Sequence, residues 1–117
     1  MRHQKKQLKL NMQRDHRAAL IRNLATSIIL FEKVKTTVAR AKAVRPVVED
    51  LISKAKNKEP REAIRQINQI VFDKNATRKL LEVLKPRYQE RTGGYTRVMK
   101  MGHRSGDAAQ VVQIQLV

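Results

Sequence analysis

The sequence predicts an α+β fold, a two-layer α/β sandwich with the element order α-β-α-α-α-β-β. A small mixed sheet carries helices on one face, and a basic arm precedes it. Three observations lead there. Apolar residues recur at spacings of three and four in four separate stretches, as one buried helix face requires. Two segments, 33–38 and 111–116, instead alternate with period two and are rich in β-branched residues. The first 17 residues carry six Lys/Arg, one acid and few apolar side chains.

The arm is assigned to residues 1–14, with one globular domain over 15–117. A segment such as Arg2-His3-Gln4-Lys5-Lys6-Gln7-Leu8-Lys9 buries too little apolar surface to offset its ordering entropy alone. It is expected to order on a partner. No apolar run of signal-peptide length follows it, because the longest, such as Ile28-Ile29-Leu30-Phe31, have four residues. Met1-Arg2-His3 runs almost directly into patterned sequence, so no cleaved leader is expected, and the address is read as cytosolic.

Asp15 is an N-cap type, and Leu20, Leu24 and Ile28 then step by four, which predicts a first helix over roughly 16–31. Lys33-Val34-Lys35-Thr36-Thr37-Val38 predicts a strand with Val34, Thr36 and Val38 on one face. Ala41, Val44, Val48, Leu51 and Ala55 predict a second helix with Thr36 or Thr37 at its start. Pro46 falls inside it, lacks an N–H and should kink or split it. Lys56-Asn57-Lys58-Glu59-Pro60 reads as a turn, with Pro60 opening a third helix marked by Ala63, Ile64, Ile67 and Val71. Asn75 is placed as the cap of a short fourth helix bearing Leu80, Leu81 and Leu84, which Pro86 stops. Gly93-Gly94 then turns the chain into a strand over Tyr95–Met101. A loop over 102–107 leads to a last strand with Val111, Val112, Ile114 and Leu116, closing a hairpin.

Composition narrows function. The chain of 117 residues holds 26 Lys/Arg and 10 Asp/Glu, a net charge of +16. So high a charge repels itself unless a polyanion sits against it. With no cysteine, disulfides, thiolate zinc, iron–sulfur clusters and cysteine nucleophiles are excluded. His3, His16 and His103 lack metal-ligand spacing and read more plainly as polar residues near phosphate or solvent. Glu49 and Asp50 are adjacent, so a helix points them apart, and Glu59 and Glu62 suit a helix N-terminus. Gly102-His103-Arg104-Ser105-Gly106 lacks the Gly-Lys-Ser/Thr ending of a nucleotide loop. It reads instead as a basic turn touching a backbone phosphate. Neither an enzyme nor a cofactor is indicated.

Lys54, Lys56, Lys58 and Lys74 have acids nearby and read as solvated surface. The C-terminal third differs, because Arg87, Arg91, Arg97, Lys100 and Arg104 meet only Glu90 and Asp107 as local acids. The planar guanidinium matches phosphate oxygens and stacks on bases. Two tyrosines and two phenylalanines are too few for a base-stacking sheet of the RRM or OB kind. The basic residues are scattered rather than gathered on one recognition helix, which disfavours a helix-turn-helix on DNA. The apolar faces are committed to a core, which disfavours a membrane. A large structured RNA fits best; a DNA-binding architectural protein and a small RNA nuclease are the competing classes.

The chain closely resembles the bacterial large-subunit ribosomal protein L-seventeen family, nearly end to end. The resemblance runs through Met1-Arg2-His3, Lys9-Leu10-Asn11, His16-Arg17, Leu24-Ala25-Thr26-Ser27, Thr36-Thr37, Ala41-Lys42, Arg45-Pro46-Val47-Val48-Glu49 and Leu51-Ile52. Its most specific stretch is Pro86-Arg87-Tyr88, Arg91, Gly93-Gly94-Tyr95-Thr96-Arg97, Gly102, Arg104 and Gly106-Asp107-Ala108-Ala109. Gln4 and Gln7 depart from an arm that is often more basic in relatives. The resemblance implies a structural, non-enzymatic part of the bacterial large subunit, near the nascent-chain exit region. Its implied partners are large-subunit ribosomal RNA and neighbouring ribosomal proteins, with no membrane and no small-molecule substrate. The candidate RNA-binding residues are then Arg2, His3, Lys5, Lys6, Lys9, Asn11 and Arg14 in the arm. His16, Arg17, Arg22, Asn23 and Thr26 follow on the first helix, and Arg87, Arg91, Tyr95, Arg97, Lys100 and Arg104 in the C-terminal third.

Overall fold

A computed structural model describes residues 9–117. Helix α1 (Arg14–Phe31) leads through Glu32 into strand β1 (Lys33–Thr37). Helices α2 (Val38–Asn57), α3 (Pro60–Asn68) and α4 (Lys74–Lys79) follow. The α4 segment continues without a break through a π-helical stretch, Leu80–Leu84, into the single turn α5 (Lys85–Arg87). Strands β2 (Thr96–His103) and β3 (Gln110–Leu116) close the chain. The predicted α+β class and element order hold. The sheet, however, is wholly antiparallel and not mixed, with order β1-β3-β2. The hairpin makes β2 and β3 antiparallel, and β1 adds to the other side of β3, also antiparallel.

The central strand faces the helices through Val112, Ile114 and Leu116, which alternate with partly exposed Val111, Gln113 and Gln115. The core joins Ile114 and Leu116 to Ala25, Ile28 and Ile29 of α1, Val44, Val48, Leu51 and Ile52 of α2, and Leu80 and Leu84. Of the four residues expected to face the core from the third helix, Ala63, Ile67 and Val71 are buried and Ile64 is exposed. Successive helix residues point about 100° apart, so with Ala63 and Ile67 centred on the core Ile64 falls at the edge of the buried seam.

Several ends depart from expectation. Gln13, not Asp15, holds the N-cap position of α1, and Asp15 sits in the first turn, where the helix dipole favours a carboxylate. Asp73 caps α4, accepting from the Asn75 N–H at 2.8 Å. Pro46 neither splits α2 nor ends it, since the helix is continuous from Val38 to Asn57. Val44, Val48 and Leu51, all buried, hold both sides of the proline against the core. Pro86 lies inside the last helical turn instead of stopping the helix before it.

Ala76, Leu80, Leu84 and Tyr88 are all buried at four-residue spacing. In an α-helix each such step overshoots a full turn by about 40°. The wide turn, where the Lys85 N–H reaches the Leu80 carbonyl, takes up that overshoot and keeps the four in line. Among the described residues, no buried side-chain nitrogen or oxygen lacks a hydrogen-bond partner, and no helix is long and apolar enough to cross a membrane.

Candidate nucleic-acid interface

The N-terminal halves of α1 and α2 flank an open groove of about 660 Å³. Arg14, Arg17, Ala18, Ile21 and Arg22 line it from α1, at the 3-1-3-1 spacing of one helix face. Lys42, Ala43, Pro46 and Val47 line it from α2, and Ile70 from beyond α3. The floor is apolar, the rim is four cations, and no carboxylate contributes. A recess of about 480 Å³ adjoins it, lined by Lys9, Leu10, Asn11, Val38, Ala39 and Lys42. Lys42 belongs to both.

The recess is shaped by a tight turn in which the Met12 N–H bonds the Lys9 carbonyl at 3.2 Å. Leu10 and Asn11 both take left-handed backbone, at φ 56° and 54°. Asn tolerates that conformation, while Leu meets a steric cost of about 1–2 kcal/mol. The turn brings Lys9 and Asn11 beside Lys42, so Lys9, Asn11, Arg14, Arg17, Arg22 and Lys42 form one basic track.

The sheet offers a second cationic surface on the side away from the helices. Register places Lys33, Gln115 and Arg97 in one cross-strand row, and Lys35, Gln113 and Met99 in the next. No acid stands in either row. Lys100 pairs with Val112 and therefore belongs to the helix-side face, but it is exposed.

The other expected residues separate. His16 and Asn23 are exposed on the face of α1 about half a turn from Arg14. Thr26 Oγ1 donates back to the Arg22 carbonyl at 2.8 Å, within its own helix. Arg87 pairs with Glu32, and that hydrogen bond raises the Arg87 pKa and lowers that of Glu32. Arg104 makes a two-point contact with Asp107, at 3.1 and 2.5 Å, at the hairpin tip. The Arg104 hydrogen bond and the Ala109 N–H together hold the Asp107 carboxyl at a pKa of about 2. Arg91 is exposed and its Nε donates to the Gly93 carbonyl. Arg2, His3, Lys5 and Lys6 lie outside the described residues, as does most of the arm.

Tyr95 requires a correction. It is 4% exposed, so no base can stack on it. Its ring lies 5.1 Å from that of Tyr88, and its hydroxyl donates to the Arg91 carbonyl at 3.2 Å. Lys56, expected to be ordinary surface, donates to that same hydroxyl at 3.0 Å and sits 5.1 Å from the ring centroid. Both residues build the fold. Lys42, Lys33 and Lys35 stand outside the set that the sequence singles out. The alternation of Lys33-Val34-Lys35 puts both lysines opposite the core face; Lys42 carries no such signal until α1 and α2 pair.

Comparison with known proteins bears on this surface. A family model described as Ribosomal protein L17 matches residues 20–117. The chain is 45% identical to the large ribosomal subunit protein bL17 of Petrotoga mobilis, over all of this chain and 97% of the relative. It is 49% identical to that of Elusimicrobium minutum, over 93% of this chain and 92% of the relative. It is 44% identical to that of Rickettsia bellii, over all of this chain and 82% of the relative. The chain therefore belongs to the Ribosomal protein L17 family.

Proposed function

We propose that this chain is a structural, non-enzymatic constituent of the bacterial large ribosomal subunit that grips large-subunit ribosomal RNA through its basic track. The observation that carries this reading is the convergence of Lys9, Arg14, Arg17, Arg22 and Lys42 on two adjoining hollows with no carboxylate lining either. Clustered cations without counter-charge can replace the ions condensed on the RNA phosphates and so release them. The apolar floor fixes the spacing of the charges, so shape and phosphate position are read rather than base sequence. Lys33, Lys35 and Arg97 on the sheet supply a second contact, and the arm, with Arg2, His3, Lys5 and Lys6, extends the track. Arg87 and Arg104 serve the protein's own structure first, being paired with Glu32 and Asp107. The site lies near the nascent-chain exit region, as the family resemblance implies, among neighbouring large-subunit proteins in the cytoplasm.

Co-sedimentation with large-subunit RNA over a salt series tests the reading. Neutralising about six phosphates predicts that log K falls with log salt at a slope of roughly −4 to −5. A flat salt dependence, or a preference for duplex DNA over the RNA, would overturn it.

A further inference from the structure

Phe72 is 72% exposed, although an aromatic ring of that size is ordinarily among the first side chains to be buried. It is not a loosely hung residue. Val71 before it is fully buried, and its N–H bonds the Ile67 carbonyl at 2.8 Å. Asp73 after it is fixed as the cap of α4, its carboxylate already engaged by the Asn75 N–H. The backbone is thus anchored on both sides and presents the ring outward. Ile70, two residues earlier, lines the basic groove. Arg22, on the rim of the same groove, places its guanidinium 5.3 Å from the Phe72 ring centroid. An aromatic face and a planar cation are therefore held together at the groove's edge.

We infer that Phe72 and Arg22 form a stacking step for one unpaired nucleobase of the RNA strand whose phosphates occupy the basic groove. The inference rests on the RNA reading above and deepens it. Nucleobases present a π-face to any aromatic ring, and arginine adds a cation–π contribution. A protein neighbour's apolar side chain would find the ring beside the Arg22 cation, which a nucleobase next to its own phosphate satisfies and an aliphatic group does not. Phe31 is almost equally exposed, at 70%, but no cation lies over its ring among the described residues, and it does not line the groove. One stacked base is a different device from a sheet of stacked bases, so the low aromatic content does not oppose it.

Binding of the full chain to a twelve-nucleotide oligoadenylate and to an abasic strand of the same length separates stacking from charge. Both strands carry the same phosphates. The base-bearing strand should bind tighter by about five- to a hundredfold. Phe72→Ala and Phe72→Leu should both abolish the preference while leaving the salt slope unchanged, because neither alters a charge. Arg22→Lys should reduce the preference and keep the slope. The chain has no tryptophan, so Phe72→Trp provides a single fluorophore that the base-bearing strand should quench and the abasic strand should not. A preference that survives Phe72→Ala, or equal quenching by both strands, would overturn the stacking step. Equal binding of both strands with a steep salt slope would overturn it and leave the phosphate reading standing. Failure of both strands, and of large-subunit RNA, to bind would remove both. Unchanged thermal melting of Phe72→Ala, expected for so exposed a side chain, shows that the fold is intact.

Discussion

Arg87 pairs with Glu32 across 55 residues of chain, and Lys79 takes the other carboxylate oxygen at 3.2 Å. Glu32 itself stands in left-handed backbone at φ 65°, where its N–H caps α1 through the Ile28 carbonyl. Its own carbonyl accepts from the Leu116 N–H at 2.8 Å. One residue thus fastens the end of α1, the α4–α5 rod and the last strand.

The Glu32 pairs are partly exposed, so Glu32→Gln should cost only about 0.5–1 kcal/mol in urea unfolding at neutral pH. The Arg87 hydrogen bond lowers the Glu32 pKa in the folded protein from its ordinary 4.5. Its stabilisation is therefore complete above that value and is lost as pH falls through the lowered one. The acid limb of the stability curve should flatten in Glu32→Gln. Glu32→Gly loses the same pairs but removes the strain of positive φ, and should unfold later than Glu32→Gln.

Arg17→Ala combined with Lys42→Ala removes two cations from facing sides of one groove. The slope of log K against log salt on large-subunit RNA should become shallower by about 1.5. His16→Ala with Asn23→Ala, on the opposite face of α1, should leave the slope unchanged.

Tyr95→Phe should destabilise the protein by about 0.5–1.5 kcal/mol, because its hydroxyl bonds the Arg91 carbonyl and Lys56 in a largely buried setting. RNA affinity should not change. Equilibrium unfolding and binding measured on one preparation check both halves, and a loss of affinity without a loss of stability would return Tyr95 to the interface.

Pro46→Ala restores an N–H for the Lys42 carbonyl inside a helix that is already continuous. A gain of about 1–3 kcal/mol is expected from urea melts. Since no charge changes, the salt slope on RNA should stay the same.

Much of this fold is legible in one dimension. Val112, Ile114 and Leu116 alternate, and Val44, Val48 and Leu51 step helically, so their burial follows from the period alone. Pro46 departs from expectation because a local steric rule competes with packing on both sides of it, and packing prevails. The direction of β1 is illegible for a different reason: its partner β3 lies more than seventy residues away, and no turn joins them. In the site, helical spacing by itself puts Arg14, Arg17 and Arg22 on one face of α1. Lys42 joins them only when α1 meets α2. Tyr95 misleads because a tyrosine among arginines and glycines looks outward-facing, whereas Tyr88, seven positions earlier at the end of a helix, draws it in.

The order β1-β3-β2 has a consequence for how the chain is made. The strand between the other two is the last to be synthesised. Before Gln110–Leu116 emerges, β1 and β2 have no common partner, and Val34 and Val98 have no Ile114 between them. The helices can collapse early on local contacts, but the sheet closes only once β3 has emerged. Until then the edges of β1 and β2 that β3 fills stand open, where the positive charge of Lys33, Lys35, Arg97 and Lys100 opposes edge-to-edge pairing of nascent copies.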